Sequence, residues 1–193
     1  MDMKETVRNI FEESLRIKEK FISDETNVAA IAEAASLLVK CYRRGGKVIV
    51  FGNGGSAADS QHLAAELVVR FEKERKGFPC VALTTNTSIL TAASNDYDFS
   101  KTFSRQVEAL AGPSDVAVAI STSGNSENVL EGARSAHARK VPVIALTGRG
   151  GGELLKESDI AIVAKAENTA RIQEIHVTVI HVLCKIVEDA LTK

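Results

Sequence analysis

Val48-Ile49-Val50-Phe51-Gly52-Asn53-Gly54-Gly55-Ser56-Ala57-Ala58-Asp59-Ser60-Gln61-His62-Leu63-Ala64-Ala65-Glu66-Leu67 is the stretch that decides the fold. It opens on β-branched and aromatic residues and stops at a glycine, the signature of a short buried strand. The glycines then predict a tight turn. From Ser56 the pattern changes to helical spacing, with Asp59, His62, Glu66 and Arg70 falling on one stripe of an otherwise apolar helix. Strand, glycine turn and helix in that order form the first half of a βα unit. The turn can offer backbone N–H groups to an anion or a sugar, and His62 and Glu66 follow one turn apart on one face.

The same alternation continues outward. Apolar runs of strand length stand at Val48–Phe51, Val81–Leu83, Val116–Ile120, Val143–Leu146 and Ile160–Val163. Helical patterns separate most of them, at Ser56–Arg70, Ser88–Ala93, Phe99–Leu110 and Ser126–Arg139. This order predicts an α/β fold with a parallel sheet covered on both faces, whose ligands bind at the carboxyl ends of the strands. Two helices precede the sheet, at about residues 4–22 and from Asn27 to Arg44, with Ser23 or Asp24 as cap and Gly45-Gly46 as stop. They make an N-terminal helical arm over residues 1–45 of one domain spanning 1–193. The final helix, Thr169 to Leu191, is apolar around most of its circumference, which predicts burial on all sides and therefore packing between subunits.

Bulk properties exclude several classes. A net charge of -1 gives no field for nucleic acid, and Lys73-Glu74-Arg75-Lys76 is mixed and reads as a solvated helix end. Cys41, Cys80 and Cys184 are scattered, which fits reduced thiols in a cytoplasmic protein. The N-terminus has no apolar segment of signal-peptide type, and no apolar run is long enough for a bilayer.

The first loop also fits the dinucleotide pattern G-x-G-x-x-A. That reading needs a carboxylate at the end of the second strand, where the chain has Leu83-Thr84-Thr85-Asn86, so it is set aside. The second loop, Ser121-Thr122-Ser123-Gly124-Asn125-Ser126, sits between a strand and a helix. Its hydroxyls and helix N-terminus suit a phosphate dianion without a lysine. His62 and Glu66 alone would be a surface pair. Gln173 and His181, two turns apart on the final helix, can complete with them an N/O set for zinc. His176 lies round the helix from His181 and reads as a core or interface histidine; Cys184 reads as a packing residue. Asn95-Asp96, after a short helix, can bind sugar hydroxyls or simply end that helix.

Taken together, F-G-N-G-G-S, Q-H-L-A-A-E-L, T-S-I-L-T-A, N-D-Y-D-F, F-S-R-Q-V-E-A-L, I-S-T-S-G-N-S-E-N-V, T-G-R-G-G-G and A-R-I-Q-E-I-H-V-T-V-I-H resemble the sugar isomerase (SIS) domain family over nearly the whole chain. Within it they resemble the branch that isomerises phosphorylated heptoses. The resemblance implies a three-layer sandwich with a five-stranded parallel sheet, flavodoxin-like or Rossmann-like, and a homotetramer with inter-subunit active sites. It implies conversion of sedoheptulose 7-phosphate to D-glycero-D-manno-heptose 7-phosphate through an enediol, the entry to ADP- or GDP-heptose. Glu66 would then be the base and His181 the acid. Asn53, Gly54, Gly55, Ser56, Glu66, Asn95, Asp96, Ser121, Thr122, Ser123, Ser126 and Gln173 would bind substrate, and His62, Glu66, Gln173 and His181 would hold zinc. Where many relatives have aspartate, this chain has Asn86. The alternative is a non-catalytic SIS protein that binds a sugar phosphate or the replication initiator protein; the replication-associated relatives resemble this chain in the loops but lack the acidic residue at the position of Glu66, which this chain keeps.

Overall fold

The computed structural model describes residues 2–192. Its elements, in order, are α1 (Met3–Ile22), α2 (Glu25–Arg43), β1 (Val48–Gly52), α3 (Gly55–Val68), β2 (Cys80–Ala82), α4 (Thr87–Asp96), α5 (Ser104–Leu110), β3 (Val116–Ser121), α6 (Glu127–Ala138), β4 (Val143–Gly148), β5 (Ile160–Ala164) and α7 (Thr169–Leu191). The five strands form one all-parallel sheet in the order β2-β1-β3-β4-β5. The expected α/β sandwich is therefore present, in the flavodoxin-like order.

The sheet grows outward in both directions from β1, so β1 and β3 flank the point where strand order reverses. Gly52 pairs in register with Ile120, which brings the loops after β1 and β3 out of the sheet side by side. A crevice at such a switch point is where doubly wound folds place their ligands.

Side chains alternate along β1 and divide the core. Val48 and Val50 pack with Leu38, Leu63, Leu67 and Ile180 under α2, α3 and α7. Ile49 and Phe51 pack with Phe103, Val107 and Val129 under α5 and α6. Both faces are covered, so β1, β3 and β4 read as unbroken apolar runs and are buried throughout.

Local chemistry sets the element ends. Asp24 caps α2 by accepting from the N–H of Thr26 at 3.1 Å, and Gly45, at φ +75°, turns the chain out of it. The segment expected as one helix over Phe99–Leu110 is a 3₁₀ turn at Phe99–Lys101 followed by α5. The Thr102 hydroxyl closes that turn by donating to the Phe99 carbonyl at 2.8 Å, and Phe103 turns inward against Phe51. α3 stops at Val68, so Arg70 leaves the polar stripe and lies exposed in the loop. Lys73–Lys76 belong to that loop rather than to a helix end, and the Arg75 side chain is only 2% exposed, contrary to the solvated reading.

α1 buries none of its residues and leaves Met3, Val7, Phe11, Leu15 and Ile22 in solvent. It is tied to α7 by the Ser14 hydroxyl donating to Glu174 at 2.6 Å and by Arg171 donating to the Ile10 carbonyl at 3.1 Å. α7 is buried within the chain along one side only, through Ile172, Ile175, Val179, Ile180, Leu183 and Val187, while Val182 and Ile186 remain exposed.

Candidate active site

The loop after β1 can take its path only with glycine. Gly54 sits at φ +56° and ψ -119°, a region closed to L side chains. At Gly55 a Cβ would fall 1.9 Å from Nε2 of Gln173, so the absence of a side chain lets α7 bring that amide against the start of α3. Ser56 is buried in the first turn, its N–H bonded to the Asn53 carbonyl at 2.9 Å.

The second loop is tied to the first by a pair of side-chain amides. Asn53 donates to Asn128 Oδ1 at 2.8 Å and Asn128 donates back to Asn53 Oδ1 at 2.9 Å. Asn128 was not among the expected site residues. Its signal lay in the run Ser121–Asn128, but only the strand order shows that it meets Asn53. In the loop itself the hydroxyls of Ser121 and Ser126 lie 3.1 Å apart, and those of Ser121 and Ser123 3.5 Å apart. Ser126 is the N-cap residue of α6 but makes no capping bond, so the first-turn N–H groups of α6 have no side-chain partner of their own chain. Hydroxyls gathered at an uncapped helix start suit a phosphate. Thr122 lies half-buried in the same loop.

A cavity of about 620 Å³ opens on the other side of Asn53. Gly52, Gly54, Thr84, Ser94, Asn95 and Phe99 are among its walls. Asn95 donates to Asp96 at 2.8 Å, and both are exposed at the end of α4. Asn86 is the N-cap of α4 and its Oδ1 accepts from the N–H of Ile89 at 3.1 Å, a capping bond that does not need the charge of an aspartate.

The third component lies between α3 and α7. His62 Nε2 stands 3.0 Å from His181 Nε2 and 3.2 Å from Glu66 Oε1. The imidazole rings are 5.0 Å apart between centroids, and the Phe71 ring lies 5.8 Å from that of His181. His62, Glu66 and His181 are thus brought together, as expected. No hydrogen bond among the described residues joins Gln173 to them; its amide ends at Gly55, two turns above His62 on α3. None of the three walls the 620 Å³ cavity.

Burial raises the Asp59 carboxyl above its usual value, against the pull of His62, and its Oδ2 is buried without a hydrogen-bond partner. The Cys184 thiol is pushed up to about 12 by burial and then by the Glu66 charge, so it packs as a neutral group. His176 is fully buried with Nε2 3.0 Å from the Thr147 carbonyl, the core histidine its position suggests.

Two nitrogens and one carboxylate oxygen converging at such distances form an electron-rich group. His62 Nε2 is the common partner of the other two, and one shared proton can bridge the three only through a bifurcated bond there. Among the described residues no group of three or more His, Cys, Asp or Glu side chains is placed to hold a metal ion; two imidazoles and a carboxylate are the donor types that zinc takes.

Comparison with known proteins follows the same lines. The SIS domain family matches residues 11–148. A phosphoheptose isomerase of Aquifex aeolicus (strain VF5) is 50% identical over 187 residues, 97% of each chain. The structure of a phosphoheptose isomerase from Neisseria gonorrhoeae superposes with a TM-score of 0.91 at 44% identity, covering 97% of this chain and 99% of that one. That of a phosphoheptose isomerase from Francisella tularensis gives 0.93 at 39% identity, covering 98% and 100%.

Proposed function

This chain belongs to the SIS domain family, among the phosphoheptose isomerases, and from that premise we propose how its residues divide the work. The protein is an aldose–ketose isomerase acting on sedoheptulose 7-phosphate, which it converts to D-glycero-D-manno-heptose 7-phosphate in heptose biosynthesis. The observation that carries the reading is the convergence of Glu66, His62 and His181 between α3 and α7.

Isomerisation moves a proton between the two carbons that share the enediol. A base must take it from the carbon beside the carbonyl, and an acid must serve the oxygens. Glu66 is the base and His181 the acid. The mobile protons pass between the carboxylate and the substrate carbon, and between His181 and the substrate oxygens. His62, which touches both groups, holds them in register. Ser121, Thr122, Ser123 and Ser126 take the phosphate at the start of α6, with Ser56 at the head of α3. Asn53, Gly54, Gly55, Asn95, Asp96 and Gln173 hold the sugar.

Three finer points belong to the same proposal. His62, Glu66, Gln173 and His181 would hold a zinc ion. When bound, zinc supplies Lewis-acid polarisation of the carbonyl. The site is completed across subunits of a homotetramer, a reading supported by the exposed apolar residues of α1 and by the separation of the His–Glu group from the cavity beside Asn95. The reaction runs in the cytoplasm, in keeping with three unpaired cysteines. No described helix is long and apolar enough to cross a membrane.

The test is turnover of sedoheptulose 7-phosphate followed by NMR. Signals of the aldoheptose phosphate from the wild type, absent with Glu66→Gln, support the assignment. A wild type with no turnover, with or without zinc, overturns it. Zinc titration by calorimetry tests the metal separately, since His62→Gln should abolish binding if these residues hold it.

A further inference from the structure

The loop between α3 and β2 is anchored by one carboxylate. Glu188 on α7 has a side chain that is fully buried. Its Oε1 accepts from the N–H of Phe71 at 3.1 Å and from Arg75 Nε at 2.9 Å. Its Oε2 accepts from the N–H groups of Glu72 and Lys73, both at 2.9 Å. Burial works against the charge, but these backbone donors and the Arg75 guanidinium outweigh it and hold the carboxyl below its usual value.

Arg75 carries the connection back to α3. Nη2 donates to the Glu66 carbonyl at 2.8 Å and Nη1 to the Leu67 carbonyl at 2.9 Å. These lie in the last turn of α3, where carbonyls lack intrahelical partners and helices fray. The guanidinium also stacks 4.1 Å above the Phe78 ring, which stacks in turn on Tyr42. The loop therefore joins the reacting groups at two points: the backbone of Glu66 through Arg75, and the ring of His181 through Phe71.

Stability alone does not call for this arrangement, because an apolar replacement of a buried ion pair is often as stable or more so. What an apolar pair cannot supply is the directed fork onto the Glu66 and Leu67 carbonyls. We propose that Arg75 and Glu188 are positioning residues for the reaction, fixing the last turn of α3 beneath Glu66 and setting Phe71 against His181. The proposal rests on the reading that Glu66 and His181 act on the sugar phosphate. Neither residue touches substrate; both act through the groups that do.

The experiment compares Arg75→Lys and Glu188→Gln with Asp115→Asn. Arg75→Lys keeps a charge beside Glu188 and loses the fork. Asp115 provides a similar staple at the far end of the sheet, accepting from the N–H groups of Lys47 at 2.9 Å and Gly112 at 2.8 Å. Kinetics are taken well below each variant's melting temperature. A misplacement of about 1 Å can cost ~10²-fold in rate, so kcat of Arg75→Lys and Glu188→Gln should fall roughly 10- to 100-fold with KM changed less than about 3-fold. Asp115→Asn should lose melting temperature with kcat within about 2-fold of wild type. If all three variants keep the same kcat at equal folded fraction, the residues are structural only and the proposal is overturned. If Glu188→Gln fails to fold, Arg75→Lys decides. The side-chain ¹⁵N resonances of His62 and His181, recorded without substrate, give a second readout. They should shift in Arg75→Lys and stay in place in Asp115→Asn; unchanged resonances count against positioning. A wild type that turns over no sedoheptulose 7-phosphate would defeat the functional reading, and the resonances alone would then decide whether the loop sets the imidazoles.

Discussion

The Nε2 atoms of His62 and His181 face each other at 3.0 Å, although 119 residues separate them in the chain. Glu66 approaches the same nitrogen of His62 at 3.2 Å. The three groups thus form one chemical unit, and its members should fail together. Each acid or base role is typically worth ~10²–10⁴-fold in rate, so Glu66→Gln and His181→Gln should each lower kcat by about that range. The double variant should be little worse than the poorer single one, because residues that act as a unit are strongly non-additive. Additive losses measured by the NMR assay would mean two independent sites of action.

Asn86 gives a prediction of opposite sign. It caps α4 through Ile89, and aspartate can make the same bond while adding charge at a helix N-terminus. Asn86→Asp should therefore be neutral or stabilising by up to about 1 kcal/mol, and Asn86→Ala should cost about 1 kcal/mol. Urea unfolding of both variants checks this. A loss in kcat for Asn86→Asp without a loss in stability would give the position a role in turnover that its capping geometry does not require.

His176 predicts a pH dependence. It is fully buried, and burial lowers its pKa to about 4, partly offset by the bond to the Thr147 carbonyl. An unfolded histidine titrates near 6.5. The folded pKa is the lower one, so the neutral ring's contribution is complete above the unfolded value. It is lost as pH falls toward the folded one. Between pH 7 and pH 5 this group alone should remove about 2 kcal/mol of unfolding free energy. His176→Gln, which keeps a donor for Thr147, should flatten that dependence. An equal slope in wild type and variant would place the titration elsewhere.

These expectations differ in how far the chain alone reveals them. β1, β3 and β4 were legible because strands buried on both faces are continuous apolar runs between turns. Both loops were legible as strand–helix junctions because each follows an apolar strand run and precedes a change to helical spacing. The pairing of His62 with His181 was legible only because each is a polar interruption on an apolar helix. Arg75 was misread because a mixed charge run looks the same whether or not it is solvated. Its acceptor, Glu188, lies 113 residues away with no local pattern to mark it. Asn128 was missed for the same reason: the strand order that places it opposite Asn53 is a property of the sheet, not of either loop. The break before α5 was missed because a side-chain hydroxyl, Thr102, ends the turn where the apolar spacing continues.

The exposed face of α1 carries the last prediction. Val7 is 54% exposed, Phe11 68% and Leu15 60%, and their spacing puts them on one stripe. An apolar stripe of this kind on a helix with no buried residue needs a partner surface. If a second copy covers it, a charge placed there should split the assembly without unfolding the sheet domain, whose core does not include these residues. Phe11→Glu should shift the protein to a smaller species in light scattering after size exclusion, with the far-ultraviolet circular dichroism of the domain retained. Because the site is proposed to be completed across subunits, the same variant should lose most of its turnover at low protein concentration and regain part of it as concentration rises. A Phe11→Glu protein that stays at the wild-type size would remove α1 from the interface. One that becomes smaller yet keeps full turnover at every concentration would place the whole reaction within one chain.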